Sequence, residues 1–161
     1  CGNGSGTEVI LTLFGAAEVL AIDVDPEMVA KARHRLRPFG DRVRVEVGDA
    51  SGMEAGTSSF DAVFDFGVIH HIPDWPAAVA EVRRVLRSGG RFFFEEVTKH
   101  ALDRWFYRSF LDHPKNNRFS GEDFVADLER QGISVKGNYV HRFFGDLVVG
   151  VGTRVDGETF G

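Results

Sequence analysis

The chain opens on Cys1-Gly2-Asn3-Gly4-Ser5-Gly6, a loop with glycine at every second position that runs into a helical stretch. Glycine permits tight turns and close approach of backbone to a ligand, and a helix N-terminus adds free N–H groups. Alone, such a loop fits a glycine-rich turn as well as a ligand cradle. Asp23 ends the next apolar run, 19 residues after Gly4. A carboxylate at that distance is placed to accept hydrogen bonds from two ribose hydroxyls. Helix capping is the plainer role for such an acid, but Asp25 stands better for it. Asp49 follows 26 residues after Asp23, within Gly48-Asp49-Ala50. Its carboxylate suits an adenine amino group and the Ala50 N–H a ring nitrogen, although a simple turn uses the same residues. A glycine loop, an acid and a second acid at three successive strand ends point together to a nucleoside pocket.

A second group of residues suits proton transfer. His70 and His71 come just after an apolar run, and histidine can act as a base near neutral pH. The competing role is that one of them packs or caps the following segment. Glu95 and Glu96 end a later run, one expected to face the site and the other a helix layer. His70, His71 and Glu95 are the acid–base candidates. His113 reads as a loop residue facing solvent, and Cys1 as a small packing residue. No metal site is expected.

These residues need elements to place them. Thr7–Phe14 reads as a short helix stopped by Gly15, and Glu18–Asp23 as a buried parallel strand. Asp25-Pro26 makes an N-cap with proline at the first helical position, and Met28, Val29, Ala32 and Leu36 then fall on one face. Arg42–Val47 alternates with period two, and Phe60–Phe66 is the next strand. Asp74 caps a helix to about Leu86, with Val79, Val82 and Leu86 as its buried stripe. Ser88-Gly89-Gly90 is expected to break the chain before a strand over Arg91–Val97. The large aromatics Trp105, Phe106, Tyr107 and Phe110 follow. They suit either a lid over an apolar acceptor or an amphipathic helix. Ser120 and Asp123 have capping-box spacing for a helix to about Arg130, ended by Gly132. Ser134–Phe144 and Asp146–Arg154 read as antiparallel neighbours. Strands alternating with helices predict an α/β fold with a doubly wound, mostly parallel sheet and an antiparallel C-terminal strand pair. Such sheets bind ligands at the carboxyl ends of their strands.

The bulk properties exclude several classes. At 161 residues the chain suits one domain over residues 1–161. A net charge of -5 argues against a nucleic-acid partner. No apolar run approaches the roughly 20 residues of a membrane span. The single cysteine rules out an internal disulfide framework and fits a reducing compartment, so a cytoplasmic location is expected. Most of the 15 phenylalanines are expected in the core. The chain starts inside a motif and without methionine, and is expected to be a fragment that lacks an earlier segment.

Read together, these motifs resemble the S-adenosylmethionine (SAM)-dependent methyltransferase superfamily with the Rossmann-like seven-strand sheet, in its small-molecule branch. CGNGSG resembles the end of the family's first motif, AIDVDPEM its second-strand segment and VGDA its adenine motif. FDAVFDFGVIHHIPDW resembles its fourth-strand motif. VRRVLRSGGRFFFEE resembles the segment before the fifth strand, with Ser88 where proline is common. NRFSGEDFVADLERQGISV resembles the late helix and sixth strand. The resemblance implies SAM as cofactor, S-adenosyl-L-homocysteine as product and a small-molecule methyl acceptor, partly apolar. It implies that Gly2 and Gly4 underlie the methionine and ribose part, that Asp23 binds ribose and that Asp49 with Ala50 binds adenine. Val24 and Met53 would pack on the adenine faces, and carbonyls near Phe66 and Gly67 would take the methionine ammonium. It also implies a central first strand, with its acid, upstream of Cys1; without them the sheet has unpaired backbone groups, and the chain is expected to be unstable or inactive.

Methyl transfer is an in-line displacement that requires alignment and exclusion of water. A base is needed only where the acceptor loses a proton. Two alternatives stand beside this reading. One is a SAM-binding protein without catalysis. The other is an NAD(P)-dependent oxidoreductase, disfavoured because Thr7 occupies the last position of G-x-G-x-x-G/A. No Tyr-x-x-x-Lys pair occurs either: Leu111 and Phe143 stand four residues after Tyr107 and Tyr139.

Overall fold

The computed structural model describes residues 1–102 and 118–156. They fall into two compact units, Cys1–Glu54 and Ala55–Gly161. The aromatic stretch Trp105–Phe110 and His113 lie outside the described residues.

In the first unit, α1 (Ser5–Thr12) starts directly after Gly4. β1 (Val19–Asp23) leads through α2 (Pro26–Leu36) to β2 (Val43–Val47), and the two strands pair in parallel with Asp23 opposite Val47. The expected cap is present: the Asp25 side chain accepts from the Glu27 N–H at 2.8 Å. Pro26 occupies the first helical position, where no intrahelical N–H bond is lost. Val29, Ala32 and Leu36 form one buried stripe of α2, packed with Leu11, Ala21 and Val45. Met28 is only half-buried.

The second unit begins with β3 (Phe60–Phe66), α3 (Trp75–Val85) and β4 (Leu86–Val97). A short helix, α4 (Lys99–Leu102), follows, and then α5 (Gly121–Arg130), β5 (Ile133–Ser134), β6 (Tyr139–Arg142) and β7 (Leu147–Arg154). The sheet order is β3-β4-β7-β5, with β6 also on β7. β3 and β4 are parallel, whereas β7 runs antiparallel to β4, β5 and β6. Among the described strands of this sheet only β7 is therefore reversed, and the fold is α/β with mostly parallel strands.

Two local expectations change. Ser88-Gly89-Gly90 does not break the chain. β4 starts earlier, at Leu86, and carries these residues as a bulge, since Leu86 and Arg91 face Phe60 and Ala62 on β3. Gly89, at φ +73°, supplies the left-handed residue such a detour needs. The expected strand over residues 134–144 is likewise two short strands, β5 and β6, separated by a turn with Lys136 and Gly137 at positive φ. Both pair with β7, so the antiparallel C-terminal pairing stands.

The Ser120–Asp123 capping box opens α5, with both reciprocal bonds made at 3.0 and 3.1 Å. Phe124, Trp75, Phe119 and Phe94 pack into one aromatic core. Not all phenylalanines are inside: Phe143 and Phe144, both at positive φ, are 71% and 98% exposed.

Candidate functional site

In the first unit the readable residues gather at the carboxyl edge of the β1–β2 pair. The Gly48 N–H donates to the Asp23 carbonyl at 3.0 Å, so the segment carrying Asp49 leaves the sheet beside Asp23. Asp23 is already engaged with the glycine loop. Its Oδ2 accepts from the Cys1 nitrogen and the Gly2 N–H, both at 2.8 Å, and its Oδ1 accepts from the Asp25 N–H at 3.0 Å. The backbone N–H donors of Asp25 and Gly2 favour its ionised form. A carboxylate has about four acceptor positions. The Gly2 and Asp25 bonds leave Asp23 acceptor capacity for ribose hydroxyls.

Asp49 is exposed, and Ser51 engages its Oδ1 through both N–H and hydroxyl, at 2.8 and 2.7 Å. Those two bonds lower its pKa and keep it ionised. Ala50 follows in the turn, half-buried. Val24 and Val47, at the same edge, are 68% and 57% exposed. A Cβ on Gly2 would meet nothing within 4 Å, so the loop borders open space there. Two carboxylates with unfilled acceptor capacity, exposed aliphatic side chains and open space beside a glycine loop fit the ribose and base of a nucleoside. Gly4 differs from Gly2. It sits at φ +88°, where a Cβ would come within 3.1–3.3 Å of Leu36 and Ala32. Gly4 is thus required by the packing of α1 on α2, whatever ligand the loop holds.

In the second unit the candidates lie at the carboxyl ends of β3 and β4. Phe66 is 48% exposed, and Gly67, at φ +69°, donates its N–H to the Glu95 carbonyl at 2.7 Å. His70 and His71 sit on a 3-10 turn with ring centroids 4.1 Å apart, and their environments differ. The His70 side chain is buried and its Nδ1 lies 2.6 Å from Glu96 Oε2, whereas His71 is exposed. Burial holds the His70 pKa below the ordinary histidine value. Glu95 is exposed and Glu96 fully buried, so it is Glu96 that the fold brings to His70. Asp65, also buried, joins them. The sequence reading missed Asp65 and did not select Glu96. A usable signal was present: period-two alternation puts Glu96 on the face of Phe92 and Phe94, both in the core.

Comparison with known proteins gives a family and a likeness of fold. Residues 1–94 match the family described as "Methyltransferase domain". The chain is 34% identical over 99 residues to the phthiotriol/phenolphthiotriol dimycocerosates methyltransferase of Mycobacterium tuberculosis (strain ATCC 25177 / H37Ra), covering 60% of this chain and 35% of that protein. It is 33% identical over 100 residues to the ubiquinone biosynthesis O-methyltransferase of Xanthomonas oryzae pv. oryzae (strain PXO99A), covering 62% of this chain and 41% of that protein. The chain spans well under half the length of these relatives. Among solved structures it superposes on the geranyl diphosphate C-methyltransferase of Streptomyces coelicolor A3(2), in complex with Mg2+, geranyl diphosphate and S-adenosyl-L-homocysteine. The TM-score is 0.80 at 15% identity, over 96% of this chain and 68% of that one, a likeness of fold.

Proposed function

Since the chain belongs to the methyltransferase-domain family, we propose that it transfers a methyl group from SAM to a small, partly apolar acceptor, releasing S-adenosyl-L-homocysteine. The observation that carries this reading is the gathering of Asp23, Asp49 and the open glycine loop at one strand edge. Gly2 and Gly4 border the cofactor, and Asp23 accepts from the ribose hydroxyls. Asp49 and the Ala50 N–H read the adenine edge, and Val24 covers an adenine face. Phe66 and Gly67 supply carbonyls for the methionine ammonium. When bound, SAM supplies an electrophilic methyl on a sulfonium. The protein's share is to orient donor and acceptor, exclude water and accept a proton where the acceptor must lose one. Of His70, His71 and Glu95, we take His70 as that base, because its ring is held in one place and burial keeps it unprotonated near neutral pH. His71 and Glu95, both exposed, are assigned to acceptor contact.

The apolar acceptor is supported by the relatives' names and by the geranyl diphosphate in the Streptomyces structure. Among the described residues no helix is long and apolar enough to cross a membrane. We place the protein in the cytoplasm with no nucleic-acid partner, on the strength of its charge and single cysteine. Calorimetric titration of the full-length protein tests the cofactor. SAM should bind, and Asp23→Ala and Asp49→Ala should each weaken it about tenfold or more, as expected for a lost hydrogen bond to a charged group. Binding of NADH without SAM or S-adenosyl-L-homocysteine would refute the reading. So would SAM binding unchanged by both substitutions.

A further inference from the structure

The carboxyl ends of β3 and β4 bury two acids that methyl transfer does not itself require. Asp65 is 5% exposed and Glu96 0%. Glu96 Oε1 accepts from the Ile69 N–H at 2.6 Å. Its Oε2 lies 3.3 Å from the His70 N–H and 2.6 Å from His70 Nδ1. Asp65 Oδ1 accepts from the Val68 N–H at 3.0 Å, while its Oδ2 is buried and has no donor. Asp65 and Glu96 stand at the ends of the paired strands β3 and β4 and accept from the consecutive N–H groups of Val68 and Ile69. Two ionised carboxylates cannot share such a place without strong repulsion.

One proton resolves both problems. Carried on Asp65 Oδ2, it removes the repulsion and gives the unpaired oxygen a bond, donated to Glu96. Burial and the neighbouring Glu96 charge push Asp65 well above the usual carboxylate range, in agreement. Glu96 then accepts from Ile69 N–H, His70 N–H, His70 Nδ1–H and Asp65 O–H, which fills the roughly four positions of a carboxylate. With the shared proton on Asp65 and Glu96 ionised, the oxygen 2.6 Å from Nδ1 accepts a ring hydrogen there, which puts the basic lone pair on Nε2.

We propose that Asp65, as a neutral acid, and Glu96, as an anion, are positioning residues that fix His70 as its Nδ1–H tautomer, making Nε2 the nitrogen that takes the acceptor's proton. Only the final clause rests on the methyl-transfer reading. In that step the acceptor's X–H bond breaks, its electron pair forms the bond to the methyl carbon, and the carbon–sulfur pair stays on sulfur. The proton moves to Nε2, and the Glu96 charge beside Nδ1 stabilises the imidazolium. The titratable groups around the ring, among the described residues, are Asp65 from β3, Glu96 from β4 and His71 from the same turn.

Long-range proton–nitrogen NMR on full-length, nitrogen-15-labelled protein reads the tautomer directly. At pH 7 His70 should show a protonated Nδ1 and an unprotonated Nε2; the opposite tautomer overturns the proposal. Glu96→Gln removes the anion and should lower the His70 titration by about one pH unit or more. Asp65→Asn replaces a neutral donor by another and should shift it by less than about half a unit. An equal fall in both variants would put the charge on Asp65 and overturn the assignment. If Glu96→Gln fails to fold, the wild-type tautomer and Asp65→Asn still decide. SAM titration of the same sample separates the two readings, because absence of SAM binding with the expected tautomer refutes methyl transfer and leaves the cluster standing.

Discussion

Gly4→Ala separates the two uses of the glycine loop, packing and ligand approach. At φ +88° an alanine sits in the left-handed region, at a cost of about 1–2 kcal/mol. Its Cβ would stand 3.1 Å from Leu36 Cδ1, 3.2 Å from Ala32 Cα and 3.3 Å from Ala32 Cβ. Leu36 and Ala32 are 1% and 0% exposed, and the Ala32 Cα is helix backbone that cannot turn aside. Overpacking of that kind costs about 1–3 kcal/mol. The two effects share one backbone adjustment, so the expected loss is about 2–4 kcal/mol in total. Gly2→Ala is the control. Gly2 also has positive φ, at +53°, but its added Cβ meets nothing within 4 Å, so only the conformational cost of about 1–2 kcal/mol applies. Urea unfolding of both variants of the full-length protein, with SAM titration alongside, gives the comparison. Gly4→Ala should be the less stable, and Gly2→Ala should lose the more SAM affinity for its loss of stability. Equal stability of the two variants would refute the packing argument.

Other expectations concern the second unit. Phe124→Ala removes a fully buried ring whose centroid lies 4.9 Å from Phe119 and 5.4 Å from Phe94; a loss of about 3–5 kcal/mol in denaturant unfolding is expected. Asp65 also gives stability a pH dependence of definite sign. Its folded pKa is raised, so the folded protein keeps a proton that the unfolded chain releases above about pH 4. The wild type should therefore lose stability relative to Asp65→Asn as pH rises from about 4, measured by urea unfolding across that range. A relative gain by the wild type would contradict a protonated Asp65.

Local grammar was the most legible part of the chain. Asp25-Pro26 and Ser120-Glu122-Asp123 announce helix starts through side chains that bond the nearest backbone, so no distant residue is needed to read them. The glycine loop, Asp23 and Asp49 were legible through spacing, because strands and crossover helices have narrow length ranges. Less legible was whatever depends on a partner across the sheet. Ser88-Gly89-Gly90 has turn composition, and only the pairing of Leu86 and Arg91 with β3 on either side keeps it within a strand. Glu95 and Glu96 are chemically equivalent neighbours; the face each takes follows from the register of Phe92 and Phe94. Asp65 looks misplaced among apolar residues until Glu96 and Val68 stand beside it. The same rule explains Gly4, whose need for glycine comes from Leu36 and Ala32, about thirty residues away.

The position of β7 also constrains the order of assembly. Leu147–Arg154 is paired with β4 on one side and with β5 and β6 on the other, and Arg91 meets Thr153 only after some sixty intervening residues. During synthesis β4 is therefore made long before its partner, leaving an unpaired edge that carries Phe92, Phe93 and Phe94. Closing so long a loop is entropically slow, and such an edge is open to wrong partners while it waits. The reversed strand acts as a late clasp, and conditions that slow its docking should appear first as aggregation of nascent chain.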